Sequence, residues 1–155
     1  MGQDMASDYT PCPVARGAGL LGDRWALLIL RDAFDGERRF NGFQKNLGIA
    51  RNMLADRLRK LVQAGILETV PAGPHHEYQL TDKGRDLFPL IVSLRQWGER
   101  HLYAPGEAHS VLVDKQHGKP LADMQPRCQA GEVLRPEDTE VCKLPALKPA
   151  GRSRA

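Results

Sequence analysis

Apolar residues recur every three or four positions through most of the first hundred residues, which is the spacing of helices that bury one face. The segment of about residues 50–64 is the clearest case, because four apolar residues from Leu54 to Val62 form one narrow stripe. Similar stripes behind capping residues such as Asp23 and Thr81 predict further helices. Together, the predicted helices cover residues 13–21, 24–34, 40–46, 50–64 and 82–102.

The pattern changes to strict alternation in ILETV and HEYQL, residues 66–70 and 76–80, which predicts two strands. The residues between them, PAGPH, favour a turn, so we expect a hairpin with a loop of several residues. Pro89 falls near the third turn of the helix that follows. We expect it to bend that helix, because its ring clashes with the preceding turn.

From Tyr103 onward the composition shifts to frequent proline and few large apolar side chains, with six prolines in residues 104–155. Only SVLVD and EVL indicate strands there. We therefore predict a core at residues 12–102, a small β-rich appendage at residues 103–144 and a flexible basic tail at residues 145–155.

The order of these elements defines the predicted fold. Two helices joined through a Gly turn, then a β-hairpin, then a capped helix, form a winged helix-turn-helix. The fold class is α+β and mainly helical, with the hairpin as the wing and the small β-rich appendage at its C-terminal side. The apolar stripe holds the helix of residues 50–64 against the helices before it, so its polar face projects outward.

The positive charge of the chain is concentrated in this part of the fold. The overall net charge is only +3, but residues 37–60 hold seven basic and two acidic side chains, a net charge of +5, so the remainder carries −2. A local cationic surface is what a protein that binds a polyanion presents. We therefore predict that double-stranded DNA is the partner.

Helix geometry assigns roles to individual side chains. The major groove, about 12 Å wide, accepts one helix and brings residues near its N-terminus to the base edges. Arg51 and Asn52 occupy that place, where Arg can be bidentate to guanine and Asn to adenine. Arg38 and Arg39 suit phosphates, and the loop of residues 72–76 suits the adjacent minor groove or backbone. The predicted DNA-binding residues are Arg38, Arg39, Lys45, Arg51, Asn52, Met53, Arg57, Arg59, Lys60 and His75.

Other functional classes find little support. No apolar run approaches the roughly 18 residues that a membrane helix needs, and the N-terminus lacks the pattern of a secretory signal. The three scattered cysteines do not suggest a disulfide framework, so we expect a cytoplasmic protein. An enzyme is the first alternative, but the chain offers no Gly-rich phosphate loop and no nucleophile elbow. The second is a winged helix that contacts only proteins, against which Arg51 and Asn52 argue.

The motifs CPVARGAGLLGDRW, RRFNGFQKNLGI, ARNMLADRLRKLVQAGIL and YQLTDKG occur in this order along the chain. From about residue 12 to residue 102 the sequence resembles the HxlR-type family of bacterial transcription regulators. The resemblance implies a homodimer, paired through the first and last helices of the core, that binds an inverted-repeat operator and most often represses transcription. The two recognition helices then lie about 34 Å apart and enter successive major grooves.

Ala50 departs from the family pattern, which commonly has Ser or Thr at this place. A hydroxyl there caps the recognition helix, so Ala50 gives up stabilisation on the order of 1 kcal/mol. The operator preference of relatives therefore does not transfer directly to this chain.

The resemblance also gives Cys12 two interpretations. Some members of the family sense electrophiles or oxidants through a cysteine just ahead of the first helix, and Cys12 occupies that place. A helix N-terminus and a nearby base such as Arg16 favour the reactive thiolate. The alternative is that Cys12 is only a packing residue, and the sequence leaves both open.

Trp25 and Trp97 also have two interpretations: they line a pocket for a small-molecule effector at the dimer interface, or they belong to the core, which helical spacing favours. A zinc site would draw on Cys128, Cys142 and His117. Their irregular spacing and the lack of a fourth ligand do not make a tetrahedral structural site. We therefore expect neither a metal nor a cofactor.

Overall fold

The structure is a computed structural model that describes residues 12–142 of the 155-residue chain. The predicted fold class is confirmed: the protein is α+β, mainly helical, with a single hairpin in the described part. Its elements are α1 (Pro13–Leu21), α2 (Arg24–Phe34), α3 (Phe40–Leu47), α4 (Arg51–Gln63), β1 (Leu67–Ala72), β2 (His75–Leu80), α5 (Asp82–Arg85), α6 (Phe88–His101) and a short 3₁₀ helix, Pro136–Asp138. The predicted tail at residues 145–155 lies outside the described residues.

The predicted ends of the first two helices are confirmed. Pro13 opens α1, and Gly22 follows its last residue. At the start of α2, Oδ1 of Asp23 accepts a hydrogen bond from the main-chain N–H of Trp25 at 2.6 Å. Such a cap satisfies one of the N–H groups that a helix leaves without an internal partner.

The core lies where α2, α3 and α4 meet the start of the hairpin. Leu54 and Leu58 of α4 are completely buried, as the apolar stripe predicted, and Leu61 is nearly so. The other buried members of this cluster are Ile29, Leu30, Phe43, Ile49, Ile66 and Leu67. Because this face of α4 is turned inward, the opposite face is turned to solvent.

The hairpin is tighter than the sequence pattern indicated. Its strands pair antiparallel from Leu67 with Leu80 to Ala72 with His75, so only Gly73 and the proline after it form the turn. The expectation of a loop of several residues was therefore wrong. Gly73 has a φ of +61°, and a positive φ at the first central position is what a two-residue type II′ turn uses.

The bend expected at Pro89 was also wrong. Instead of one bent helix, the chain forms α5, which ends at Arg85, and a new helix, α6, which begins at Phe88. Pro89 therefore lies in the first turn of α6, where its missing N–H removes no internal hydrogen bond and its fixed φ suits the start of a helix.

The described contacts form two compact units, divided between Leu121 and Ala122. In the first unit, residues 103–121 follow α6 and contain one isolated bridge, between Val113 and Pro120. In the second, residues 122–142 contain one isolated bridge, between Arg127 and Val133, and the 3₁₀ helix. Each strand suggested by SVLVD and EVL is thus reduced to a single bridged residue.

Candidate nucleic-acid interface

The outward face of α4 carries the side chains that the sequence selected for DNA contact. Arg51, Asn52 and Met53 are exposed at its N-terminal end. Arg59 and Lys60 are exposed further along, with 62% of the Arg59 side chain accessible to solvent. Because the buried stripe fixes the rotation of the helix, these side chains share one accessible surface.

The turn before α4 sets where that surface begins. Gly48 ends α3 with a left-handed φ of +63°, and the next residue, Ile49, is buried in the core. Ala50 occupies the N-cap position without a side-chain hydrogen bond. The first turn of α4 is therefore anchored by packing rather than by a cap, and its main-chain N–H groups lack the partner that a Ser or Thr supplies.

Arg51 has a defined neighbour. Its guanidinium carbon lies 4.8 Å from the centroid of the Phe40 ring, in cation–π geometry. Phe40 is itself half-buried and packs against the core cluster, at the first position of α3. The ring thus gives Arg51 a support at the end of α4 where base contact was predicted.

A groove of about 680 Å³ lies between this end of α4, the start of α3 and the hairpin. Its cationic and titratable members are Arg39, Arg51, His75 and His76, with Glu77 as the acidic member. Arg39 is within 3.5 Å of Glu77. The hairpin is fixed beside α3 by a hydrogen bond from the main-chain N–H of Tyr78 to the carbonyl of Arg38, at 2.8 Å.

A cluster of ion pairs runs along the outer face of α4. The carboxylate of Asp56 contacts Arg59 at 2.5 Å, Arg57 at 2.7 Å and Lys60 at 3.2 Å. The hydrogen bond with Lys60, followed by those with Arg59 and Arg57, holds the pKa of Asp56 below its usual range. Asp56 therefore stays ionised at neutral pH and orients Arg59 and Lys60. Exposed pairs of this kind add little to stability.

Arg57 does not lie on the exposed face with the other predicted cations. Only 27% of its side chain is accessible, and its guanidinium pairs with Asp23, at the start of α2, as well as with Asp56. The reason is its helical spacing, because Arg57 lies three residues after buried Leu54 and four before buried Leu61, at the edge of the buried stripe. We therefore assign Arg57 to the packing interface between α2 and α4 and do not include it among the proposed DNA contacts.

The remaining predicted contacts lie at the edges of the surface. Arg38, Lys45 and His75 are exposed. The main-chain N–H groups of Arg38 and Arg39 donate to Oε1 of Glu37, at 2.8 and 2.9 Å, which fixes the approach to α3. Sequence reasoning missed Phe40 as a member of the site, and it included His76 only as part of the loop of residues 72–76. An adjacent pair of histidines in a predicted wing was the available signal for His76.

The two tryptophans lie in different surroundings. Trp25 is half-buried against the core cluster, with the Arg24 guanidinium 4.6 Å from its ring centroid. Trp97 is 50% exposed on α6. A cavity of about 610 Å³ does lie between α2 and α6, but it is lined by other residues of these helices and by the segment after them.

Cys12 lies at the N-cap of α1, as the sequence predicted. Its thiol is exposed, and its Sγ accepts a hydrogen bond from the main-chain N–H of Ala15 at 3.4 Å. Within residues 12–142, no group of three His, Cys, Asp or Glu side chains is arranged to hold a metal ion. None of the helices in this range has the length and apolar character to cross a membrane.

The fold and this surface define a winged helix-turn-helix protein with a cationic recognition helix. The chain belongs to the HxlR-like helix-turn-helix family, whose model matches residues 20–105. This family consists of transcriptional regulators, which are not enzymes.

Three similar proteins illustrate the relationship. An uncharacterised HTH-type transcriptional regulator of Mycobacterium tuberculosis is 48% identical over 105 residues, which is 66% of this chain and 66% of that protein. The crystal structure of PA1607, provisionally described as a transcription factor, superposes with a TM-score of 0.84 and 52% identity over 87% of this chain and 96% of that one. The redox regulator HypR in its reduced form gives a TM-score of 0.54 and 33% identity over 59% of this chain and 94% of that one.

Proposed function

We propose that this transcriptional regulator is a sequence-specific repressor that acts in the cytoplasm as a homodimer on an inverted-repeat operator. One observation carries the proposal: the buried stripe of α4 turns a cationic face outward and presents Arg51 and Asn52 at its leading end. In a helix-turn-helix, that end meets the base edges, while cations further along neutralise phosphates. Arg39 and His75 line the groove beside the hairpin, which supports a contact of this region with the adjacent DNA backbone.

The dimer is supported by apolar side chains that the single chain leaves in water. On α1, Val14 is 78% exposed and Leu20 is also exposed. On α6, Leu90 and Trp97 are exposed as well. Large apolar side chains exposed on both of these helices favour an interaction site, and pairing of two copies through them is compatible with a two-fold axis. Such an axis matches the symmetry of an inverted repeat.

We expect the purified protein to retain genomic fragments that share an inverted repeat, with half-site centres about 10 base pairs apart. Its affinity for that site falls steeply as salt increases, because phosphate contacts release counterions. Selection of bound fragments identifies the shared inverted repeat. Mobility shift at several salt concentrations then measures how the affinity depends on salt. Binding without sequence preference, or to single half-sites with no effect of symmetry, contradicts the proposal. No binding at low salt favours a winged helix that contacts proteins.

We further propose that Cys12 senses oxidants or electrophiles. The support is its exposed thiol at the N-cap of α1, where Sγ accepts a hydrogen bond from the main-chain N–H of Ala15, together with the likeness to HypR, a redox regulator. Hydrogen peroxide oxidises the thiol to a sulfenic acid and is itself reduced to water. The sulfenic acid then condenses with the same thiol of a second subunit, which forms a disulfide and releases another water. Because α1 is a proposed dimer helix, this bond changes the dimer.

Replacing the sensor thiol by a hydroxyl tests this directly. Cys12→Ser is expected to bind DNA as the wild type does, because serine is also a good N-cap and preserves α1. It is expected to lose the change in DNA affinity that diamide or a quinone produces. Mobility shift with and without each reagent measures the response, and Cys128→Ser is the matched control that keeps it. A normal response in Cys12→Ser rules out this thiol as the sensor.

A further inference from the structure

Two adjacent histidines lie at the hairpin end of the groove beside α4. His75 and His76 begin β2, directly after the turn, and both are exposed. Both line the groove of about 680 Å³ that Arg39 and Arg51 also line. The proposed function brings DNA to this groove, so the protonation of the two imidazoles affects how DNA is held there.

The pairing of β2 determines which way His76 points. The main-chain N–H of Tyr78 donates to the carbonyl of Arg38 at 2.8 Å, so this edge of β2 faces α3. Alternate residues of an antiparallel strand direct their N–H groups to the same edge and their side chains to the same face. His76 therefore points its N–H toward α3, and its ring lies 5.9 Å from that of Tyr78, centroid to centroid. His76 thus continues the row of Tyr78 beyond the core, along the groove.

The charged and titratable groups around the two histidines offer them no free acid. Among the described residues, the other such groups that line the groove are Arg39 of α3, Arg51 of α4, and Glu77 and Tyr78 of β2. The carboxylate of Glu77 is 3.5 Å from Arg39 and is therefore already paired. Burial raises the pKa of Tyr78, so its hydroxyl stays neutral. On the side of β1, both histidines adjoin Thr69, Val70 and Pro71, none of which titrates.

An anion from outside the protein changes the protonation of such a pair. Histidine ordinarily has a pKa of about 6.5, so both of its forms are accessible near neutral pH. An opposite charge within about 4–6 Å favours the charged form. A phosphate that enters the groove therefore favours a proton on each imidazole that it approaches. Because Glu77 is engaged by Arg39, the negative charge that holds these protons comes from the ligand.

We propose that His75 and His76 form a subsite for the phosphate backbone of DNA, where binding of DNA takes up protons onto the two imidazoles. The subsite rests on the proposed DNA-binding function and adds His76 to its contacts. Each proton passes from water or buffer to a ring nitrogen, and the phosphate balances its charge. The added affinity is complete at pH values below the pKa of the free histidines. It is lost as the pH rises through their higher pKa in the complex.

Mobility shift of the full chain on its selected DNA, at constant ionic strength, measures the effect. For each histidine that gains a proton, the wild type is expected to bind about five- to tenfold more tightly at about pH 6 than at about pH 8. The slope of log affinity against log salt is expected to steepen by about one for each added cation. Calorimetry at about pH 7 in two buffers of different ionisation enthalpy, PIPES and imidazole, is expected to show proton uptake. Equal affinity and equal salt slope at both pH values overturn the subsite.

Paired substitutions locate the protons. The variant with His75→Gln and His76→Gln is expected to bind at either pH as weakly as the wild type does at the higher one, and to take up no protons there. The variant with His75→Lys and His76→Lys stays charged and is expected to bind tightly at both. His117→Gln is the matched control, because His117 is exposed and pairs with Asp114 outside the groove. If the glutamine variant keeps the pH dependence of the wild type, the two histidines are not the subsite.

Random DNA of the same length separates this inference from the proposed function. All sequences share the phosphate backbone, so the effect of pH is expected to be the same on random DNA as on the selected site. An effect confined to the selected site indicates contact with bases and contradicts a phosphate subsite. If DNA is bound with sequence preference but without an effect of pH, the subsite is wrong and the proposed function stands. If no DNA is bound at any pH, the proposed function fails, and the subsite fails with it.

Discussion

Gly84→Ala is expected to destabilise the protein by about 2–4 kcal/mol, although alanine is the better helix former. Gly84 is buried in α5, and a Cβ there would lie 2.1 Å from the carbonyl oxygen of Ile66. That oxygen cannot simply move away, because it accepts hydrogen bonds from the Thr81 N–H at 3.1 Å and the Thr81 hydroxyl at 3.2 Å. The added methyl group therefore pushes α5 away from Ile66, at the base of the hairpin.

Urea denaturation monitored by circular dichroism measures this loss as a lower midpoint with a similar slope. Gly19→Ala is the matched control, since an added Cβ in that helix meets nothing within 4 Å. It is expected to raise stability by roughly 0.5–1 kcal/mol through the backbone entropy of the unfolded chain. If Gly84→Ala behaves like this control, the close packing of α5 on Ile66 is not a constraint on the fold.

The sequence pattern predicted those features of the fold that depend on neighbours along the chain. The apolar stripe of α4 placed Leu54 and Leu58 in the core because helical periodicity determines which side chains share a face. Asp23 was predicted as a cap because the bond it accepts comes from a residue two positions away. Local signals were ambiguous at Pro89, since proline both bends a helix and starts one. In the structure, Pro89 lies in the first turn of α6, so here it starts a helix.

Features that join distant segments were not predictable in this way. The pair of Arg57 with Asp23 depends on how α4 packs against α2, and no spacing along the chain encodes it. The cavity of α2 and α6 has the same origin, because its polar lining includes a segment that composition alone described as an appendage. Helical spacing indicates that Trp25 and Trp97 lie on helices, but it does not indicate which helix covers them.

The exposure of the candidate DNA surface was predictable from the sequence. Exposed cations on a helix with a buried stripe must project outward, so Arg51 and Arg59 were found from periodicity and charge together. The ring of Phe40 beneath Arg51 was missed, since its apolar character suggested only the core. A residue at the edge of the core can pack against the core and also support a side chain on the DNA-facing surface.

Arg51→Ala is expected to weaken binding to the selected operator by about 1–3 kcal/mol for each half-site and to relax the preference for one base pair. Arg51 is the exposed cation at the leading end of α4, and Phe40 supports its guanidinium there. A bidentate contact to guanine needs the planar fork of arginine, so Arg51→Lys, which keeps the charge, is expected to lose most of the same specificity.

Arg59→Ala is the comparison that separates reading of bases from attraction to phosphates. Arg59 lies two turns further along the same face and is held by Asp56, so its loss is expected to weaken binding to operator and random DNA alike. It should also reduce the slope of log affinity against log salt by about one. Mobility shift of both variants on both DNAs makes the distinction. If Arg51→Ala loses affinity equally on the two, Arg51 contacts only phosphate, and base recognition must lie with Asn52 or with the hairpin.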